Sequence, residues 1–315
     1  MNAHTLSSTA ERSYWLGRYI ERAESTARLM EMGQRMAMLP GAGERDEWRS
    51  VVTSCGSAHH FDKAERISEV AAARALVLDG DNPSSIRACL SAARANGKAV
   101  RTALTREMWE SLNDGWRKLE SVDPGAQSLR RELPELLDWT KRRANLLRGA
   151  AETSMLRNDG WDFMRIGGFL ERADMILRLL DVKYFVLLPE TDVVGGGRDH
   201  HQWTSVLHAT SATRAFHHVY RGDYAPWQIT DFLLLNRAFP RSLSHCYRQT
   251  LGHLEHIERR YGARHPCHDT ALAMVERLES AGMGELFKQG LHEFVSDALA
   301  VTARLSREIK EAYHF

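Results

Sequence analysis

Leu16-Gly17-Arg18-Tyr19-Ile20-Glu21-Arg22-Ala23-Glu24 returns, with changes, as Ile166-Gly167-Gly168-Phe169-Leu170-Glu171-Arg172-Ala173-Asp174. Further matches follow in the same order with small insertions. Leu39-Pro40 pairs with Leu188-Pro189, and Trp48-x-Ser50-Val51-Val52 with Trp203-x-Ser205-Val206-Leu207. Asn82-Pro83-Ser84-Ser85-Ile86 pairs with Phe239-Pro240-Arg241-Ser242-Leu243, which also aligns Cys89 with Cys246, and Glu135-Leu136-Leu137 pairs with Glu293-Phe294-Val295. Collinear matches of this kind are the mark of an internal repeat. They divide the chain into halves 1–156 and 157–315, expected to form one composite globular unit packed about a pseudo-two-fold axis.

Each half reads as helices. Leu16, Tyr19, Ile20, Ala23, Ala27 and Met30 follow the i, i+3, i+4, i+7 spacing of a helix face, and no stretch of strand length alternates with period two. The spacing predicts a first helix over 8–39, stopped by Pro40 and the glycines at 41 and 43, with a copy stopped by Pro189 and Gly195-Gly196-Gly197. Second helices start near 46 and 201, and third helices cover 63–78 and 226–235. Fourth helices open with Pro83 and Pro240 in their first turn, where a missing N–H costs nothing. Asp81 or Asn82 is the expected cap in the first half, with no comparable cap in the second. Fifth helices run over 134–156 and 284–313. The fold class is all-α.

Composition removes several classes of function. With 42 Lys+Arg against 41 Asp+Glu the formal charge is +1, so no chain-wide positive field favours nucleic acid. A 43% hydrophobic fraction can bury a substantial core. No segment has the roughly 18–20 consecutive apolar residues of a membrane span. Charged Glu11, Arg12 and Arg18 interrupt the N-terminal stretch before any signal-peptide core could form. The four cysteines, with no CxxC among them, fit a reducing compartment, so the expected location is cytoplasmic.

On a helix, Gly17, Glu21, Glu24 and Arg28 form one stripe beside the apolar face, and Gly167, Glu171, Asp174 and Arg178 form its counterpart. Glu24 to Arg28 and Asp174 to Arg178 are i, i+4 pairs, for which a solvated salt-bridge face is the ordinary reading. Glu21-Arg22 and Glu171-Arg172 stand out, because both halves keep them while most surface positions differ. A glycine one turn before each Glu would let another helix or a ligand come close. The expected arrangement is an interface between the halves, in which each Arg meets a carboxylate from another helix. A ligand site built on the same residues is the alternative.

Taken together, Glu11-Arg12-x-Tyr14-Trp15-Leu16-Gly17-Arg18-Tyr19-Ile20-Glu21-Arg22-Ala23-Glu24, Arg165-Ile166-Gly167-x-x-Leu170-Glu171-Arg172-Ala173-Asp174 and Phe239-Pro240-Arg241-Ser242 resemble the bacterial alpha-E family over essentially the whole chain. The resemblance implies an all-helical protein found alongside an ATP-grasp amide-bond ligase and a transglutaminase-like cysteine peptidase, sometimes with a proteasome-like peptidase. It carries over no catalytic residues. Gly168 stands where the first copy has Arg18, so a role common to both copies does not depend on that arginine.

Other constellations are weaker. The adjacent pairs His59-His60, His200-His201 and His217-His218 diverge by about 100° on a helix and cannot easily chelate one ion. There is no HExxH and no matched ExxH of the di-metal type. His265-Pro266-Cys267-His268-Asp269 lacks the partners that would complete a four-coordinate site. Without GxSxG, GxxxxGK[ST] or GxGxxG there is no nucleophile elbow and no nucleotide loop. Cys89 and Cys246 read as packing residues, as do most tryptophans, and loops around Trp161 and over 192–201 are candidate contact regions. No metal or cofactor is expected.

The function expected is that of a soluble helical accessory or scaffold protein of an ATP-grasp ligase system. Its rival is an enzyme or a peptide-binding or small-molecule-binding protein. There Glu21 or Glu171 would act as base, and Arg22 or Arg172 would hold a substrate carboxylate. The supporting residues are Gly17, Glu24, Arg28, Gly167, Asp174, Arg178 and Arg241. The sequence leaves homo-oligomerisation open.

Overall fold

The computed structural model describes residues 3–38, 47–63, 65–185, 197–221, 224–282, 284, 286 and 290–315, the side chains of 3–6, 182–185 and 197–199 excepted. Every extended element among them is a helix, and none is long and apolar enough to cross a membrane.

Two long helices form the centre. In α1 (Ala3–Ala37) residues 23–27 are all buried, and in α7 (Asp159–Phe185) residues 161–164 are. A helix covered on more than one side needs apolar residues on more than one face. Accordingly, Leu16, Ile20, Ala23, Ala27 and Met30 of α1 and Ile166, Leu170, Ala173, Ile176 and Leu180 of α7 lie in the core. α1 packs most extensively against α7. At the crossing a β-carbon on Gly17 would lie 2.0 Å from the Met164 carbonyl oxygen, and one on Gly167 would lie 2.1 Å from that of Tyr14.

α4 (Ile86–Ala99) and α6 (Ala126–Ser154) pack on α1, with α5 (Arg106–Glu120) against both, and α11 (Leu243–Tyr261) and α13 (Leu291–Tyr313) pack on α7, with α12 (Pro266–Ser280) against both. These outer helices are amphipathic. In α5, for example, Met108, Ser111, Leu112, Gly115 and Leu119 are buried at helical spacing. Shorter segments fill the gaps: α2 (Glu47–Ser54), α3 (Glu69–Ala73) running into a π-turn over Arg74–Leu78, α8 (Gly197–Ala209), α9 (Thr213–Tyr220) and α10 (Pro226–Leu235).

The structure corrects several expectations. The stops at Pro40 and Pro189 and the residues 192–196 lie outside the described residues, and 197–201 belong to a helix rather than a loop. Asp81 and Asn82 do not cap α4: the Ser85 hydroxyl does, accepting from Ala88 N at 3.0 Å. The second half has a matching cap after all, Ser242 accepting from His245 N at 3.0 Å. Pro83 and Pro240 therefore precede their helices, because each Pro-x-Ser turn must end before the serine can reach the N3 amide. Asn82 instead braces that turn, its Oδ1 accepting from Ser84 N at 3.0 Å and its amide donating to the Ala75 carbonyl at 2.8 Å. α6 begins at Ala126 and carries Pro134 inside it. Proline there forfeits a hydrogen bond at a cost of roughly 3 kcal/mol, which burying Leu129 and Leu133 at about 1.5–3 kcal/mol each can offset. α5 and α12 lie outside the helices that the spacing predicts. Trp161 is a buried residue of α7 rather than a loop residue.

Candidate functional site

The α1–α7 crossing gathers the charged residues. Because Gly17 and Gly167 bring the two backbones together, each Glu-Arg pair reaches the opposite helix. Arg22 binds Glu171 in a two-point grip, Nε to Oε1 at 2.5 Å and Nη2 to Oε2 at 2.9 Å. Arg172 grips Glu21 in the same way, Nε to Oε1 at 2.8 Å and Nη2 to Oε2 at 2.7 Å. Paired forks of this kind are among the stronger hydrogen-bonded contacts a protein makes.

Each carboxylate has further partners. Arg18 donates its Nε to Glu171 Oε2 at 2.7 Å. Glu21 also receives Arg148 Nη1 at 2.9 Å and Arg241 Nη1 at 3.0 Å. Glu24 receives Arg241 Nη2 at 2.6 Å, Arg28 Nε at 2.8 Å and Arg148 Nη2. Arg241 reaches both because it sits just before the cap Ser242, in a turn that Asn236 braces by accepting from Ala238 N and Phe239 N at 3.0 and 2.9 Å.

Glu24 does not lie on a solvated face. It is fully buried, and Arg28 beside it nearly so, because α6 and the turn before α11 cover that side of α1. Asp174 and Arg178 do stand closer to solvent, paired at 2.6 Å with side chains 23% and 42% exposed. Arg148, which nothing in the sequence of its Arg-rich helix sets apart, joins the site, and so does Arg18, which has no counterpart in the second copy.

These contacts fix the ionisation states. Burial pushes the Glu21 carboxyl up, but Arg172, Arg148 and Arg241 outweigh it and hold the group well below the usual carboxylate range. Burial is likewise outweighed at Glu171, where Arg22 and Arg18 bring the pKa down to about 2. Arg241 is pulled down to about 10, burial exceeding the attraction of Glu24 and Glu21, and stays charged at neutral pH. Burial pushes the thiols of Cys55, Cys89, Cys246 and Cys267 up to about 12, so none is a ready thiolate.

Two features flank the crossing. A cavity of about 230 Å³ opens between α1, α2 and α7, bounded by Arg22, Ser25, Gly56, Ser84, Asp174 and Arg178 among others. On the far side of α7, Asp162 Oδ1 accepts from His253 Nδ1 at 2.8 Å and lies 3.3 Å from His256 Nδ1, while Arg260 stands 3.4 Å from Oδ2. This is the convergence of metal-type donors among the described residues. It lies away from His265-Pro266-Cys267-His268-Asp269, where the His268 Nε2 donates to the Leu254 carbonyl at 3.1 Å and Nδ1 accepts from His265 N.

Residues 5–314 match the model of a family described as Alpha-E, "a predicted alpha-helical domain with a conserved ER motif". The chain belongs to the Alpha-E family. Uncharacterized proteins of Mycobacterium bovis and of two strains of Mycobacterium tuberculosis are each 24% identical to it over 311 residues. The matches cover 91% of this chain and 34% of each relative, so this Alpha-E chain spans about a third of the length of the curated relatives it matches. No solved structure matches it.

Proposed function

We propose that this Alpha-E chain is a non-catalytic helical module, an accessory or scaffold for an ATP-grasp-type amide ligase in the cytoplasm. The observation that carries the reading is the state of the Glu-Arg crossing. Glu21, Glu24 and Glu171 each face at least two arginines and remain ionised, arginine-paired anions. A general base needs a pKa near the working pH and a lone pair aimed at substrate. None of these carboxylates has such a pKa, and the buried thiols are protonated. The choice of ligase rests on the family resemblance, which also makes a transglutaminase-like peptidase a further partner. That the curated relatives join an Alpha-E stretch to about twice as much other sequence supports a unit that works beside other domains. The reciprocal grips of Arg22 and Arg172 support an origin by duplication, with halves 1–156 and 157–315 about a pseudo-two-fold axis.

The test is affinity capture of the tagged protein at native expression, followed by gel filtration with the co-expressed ligase. Co-elution in fixed stoichiometry is expected. Separate peaks at micromolar concentration overturn the reading.

A second reading, peptide or small-molecule binding between the halves, is favoured by the cavity beside Arg22. Binding of any small probe there, lost when the cavity is filled, would establish it.

A further inference from the structure

The two acidic stripes carry the same flanking groups but are closed differently. On α1, Glu21 and Glu24 are bridged by Arg241, Nη1 on Glu21 Oε1 and Nη2 on Glu24 Oε1. On α7, the residue that stands just before the matching cap serine is Ser84, which has no such reach. Arg28 is held by the Ser211 hydroxyl at 2.6 Å, whereas Gly56 approaches Arg178. Ser211 and Gly56 both follow a short helix and both adopt left-handed backbone, φ 56° and 70°. Asp174 is one methylene shorter than Glu24. Three shorter side chains thus leave the 230 Å³ cavity on the α7 side where the α1 side is filled.

The carboxylate oxygens keep the corresponding capacity. Among the described residues Glu171 Oε1 accepts from Arg22 and no other arginine, and Asp174 binds Arg178 through Oδ2, leaving Oδ1 without a donor. Ser25, a buried cavity-lining residue, has a hydroxyl with no partner among the described residues. We infer that the cavity binds a guanidinium group, which bridges Glu171 Oε1 and Asp174 Oδ1 as Arg241 bridges Glu21 and Glu24. The inference deepens the second reading above and rests on it.

A planar fork with two N–H groups suits two carboxylate oxygens better than an ammonium, which is a single point charge. The neighbouring cations do not forbid it. Arg18, Arg22 and Arg178 serve Glu171 and Asp174, whereas Arg28, Arg148, Arg172 and Arg241 serve Glu21 and Glu24, so the α1 side accommodates a fourth guanidinium beside the same number of carboxylates. The group can arrive on a free guanidino compound or on an arginine side chain of a partner protein.

The experiment measures binding of L-arginine, N-acetyl-arginine amide, L-lysine, L-glutamate and inorganic phosphate to the full chain at fixed ionic strength, by calorimetry and thermal shift. Arginine is expected to bind at least about tenfold more tightly than lysine. Equal binding of the blocked amide points to a protein side chain as the source, and loss of binding on blocking points to a free compound. Ser84→Arg supplies the missing fork internally. It is expected to abolish arginine binding and to raise Tm by roughly 2–4 °C. Asp174→Asn is expected to remove both effects. Arginine binding no better than lysine, or unaffected by Ser84→Arg, overturns the guanidinium assignment. If phosphate or glutamate binds instead, the assignment fails while the second reading survives. If no probe binds and Ser84→Arg does not stabilise, both fall.

Discussion

Gly17 of α1 stands so close to Met164 of α7 that a β-carbon on the glycine would lie 2.0 Å from the methionine carbonyl oxygen, well inside contact distance. Gly167 stands in the same relation to Tyr14, at 2.1 Å. Gly168, its neighbour, has 3.9 Å of clearance. Gly17→Ala and Gly167→Ala are therefore expected to force the helices apart and destabilise by about 1–3 kcal/mol or more. Gly168→Ala should be neutral or stabilise by up to about 1 kcal/mol through helix propensity. Urea titration of the three variants checks this, and equal losses at 167 and 168 would contradict the crossing.

Glu171 has a folded-state pKa of about 2. Because this lies below the usual carboxylate value, the unfolded chain binds the proton more readily, and stability falls as pH falls. The contribution is fully present above about pH 4.5 and is lost as pH drops towards 2, amounting to about 3 kcal/mol. Glu21 and Glu24 shift in the same direction. Denaturation midpoints measured from pH 7 to 2.5 should decline steeply below pH 4.5, and a flat profile would mean the carboxylates are not held as described.

Glu21→Gln leaves Arg172, Arg148 and Arg241 facing a neutral amide in the interior, and should cost about 3–5 kcal/mol. A double-mutant cycle on Arg22 and Glu171 should give a coupling of about 1 kcal/mol or more, since the pair makes a two-point contact. If Glu171→Gln instead left Tm unchanged while abolishing the activity of an associated ligase, a chemical role for the carboxylate would replace the structural one.

The cap serines provide a finer check. Ser85→Ala and Ser242→Ala each remove the acceptor for an N3 amide and should each cost about 1 kcal/mol, near-additively because the two hydroxyls share no hydrogen-bond partner. Thermal unfolding of the two single variants and the double variant reads it directly.

How much of this could be seen beforehand depends on the range of the interaction. Helical periodicity is local, so the apolar faces of α1 and α7 could be read from spacing alone. The likeness of the tracts around Glu21 and Glu171 singled out the pair that meets at the crossing. Arg241 was reachable because it lies in a recognisable Phe-Pro-Arg-Ser tract. Arg148 was not, because α6 is rich in arginine and only the packing of that helix against α1 selects one of them. Burial of Glu24 was hidden for a related reason: an i, i+4 pair reads as solvated until a third element covers it. At Asp162 the sequence held half a signal, since His253 and His256 share a helix face, but the carboxylate comes from a helix far away in sequence.

The partners of Glu21 come late in the chain. Arg148, Arg172 and Arg241 follow it by 127, 151 and 220 residues. At about 5–20 residues per second, a ribosome needs roughly 10–45 s after making Glu21 to deliver Arg241. Until then the first helix carries incompletely paired acidic groups on a surface meant for the interior, which favours keeping it hydrated and unpacked during translation. The Glu-Arg crossing thus makes assembly of the centre an event of late synthesis, with the ionic grips closing when both long helices are available.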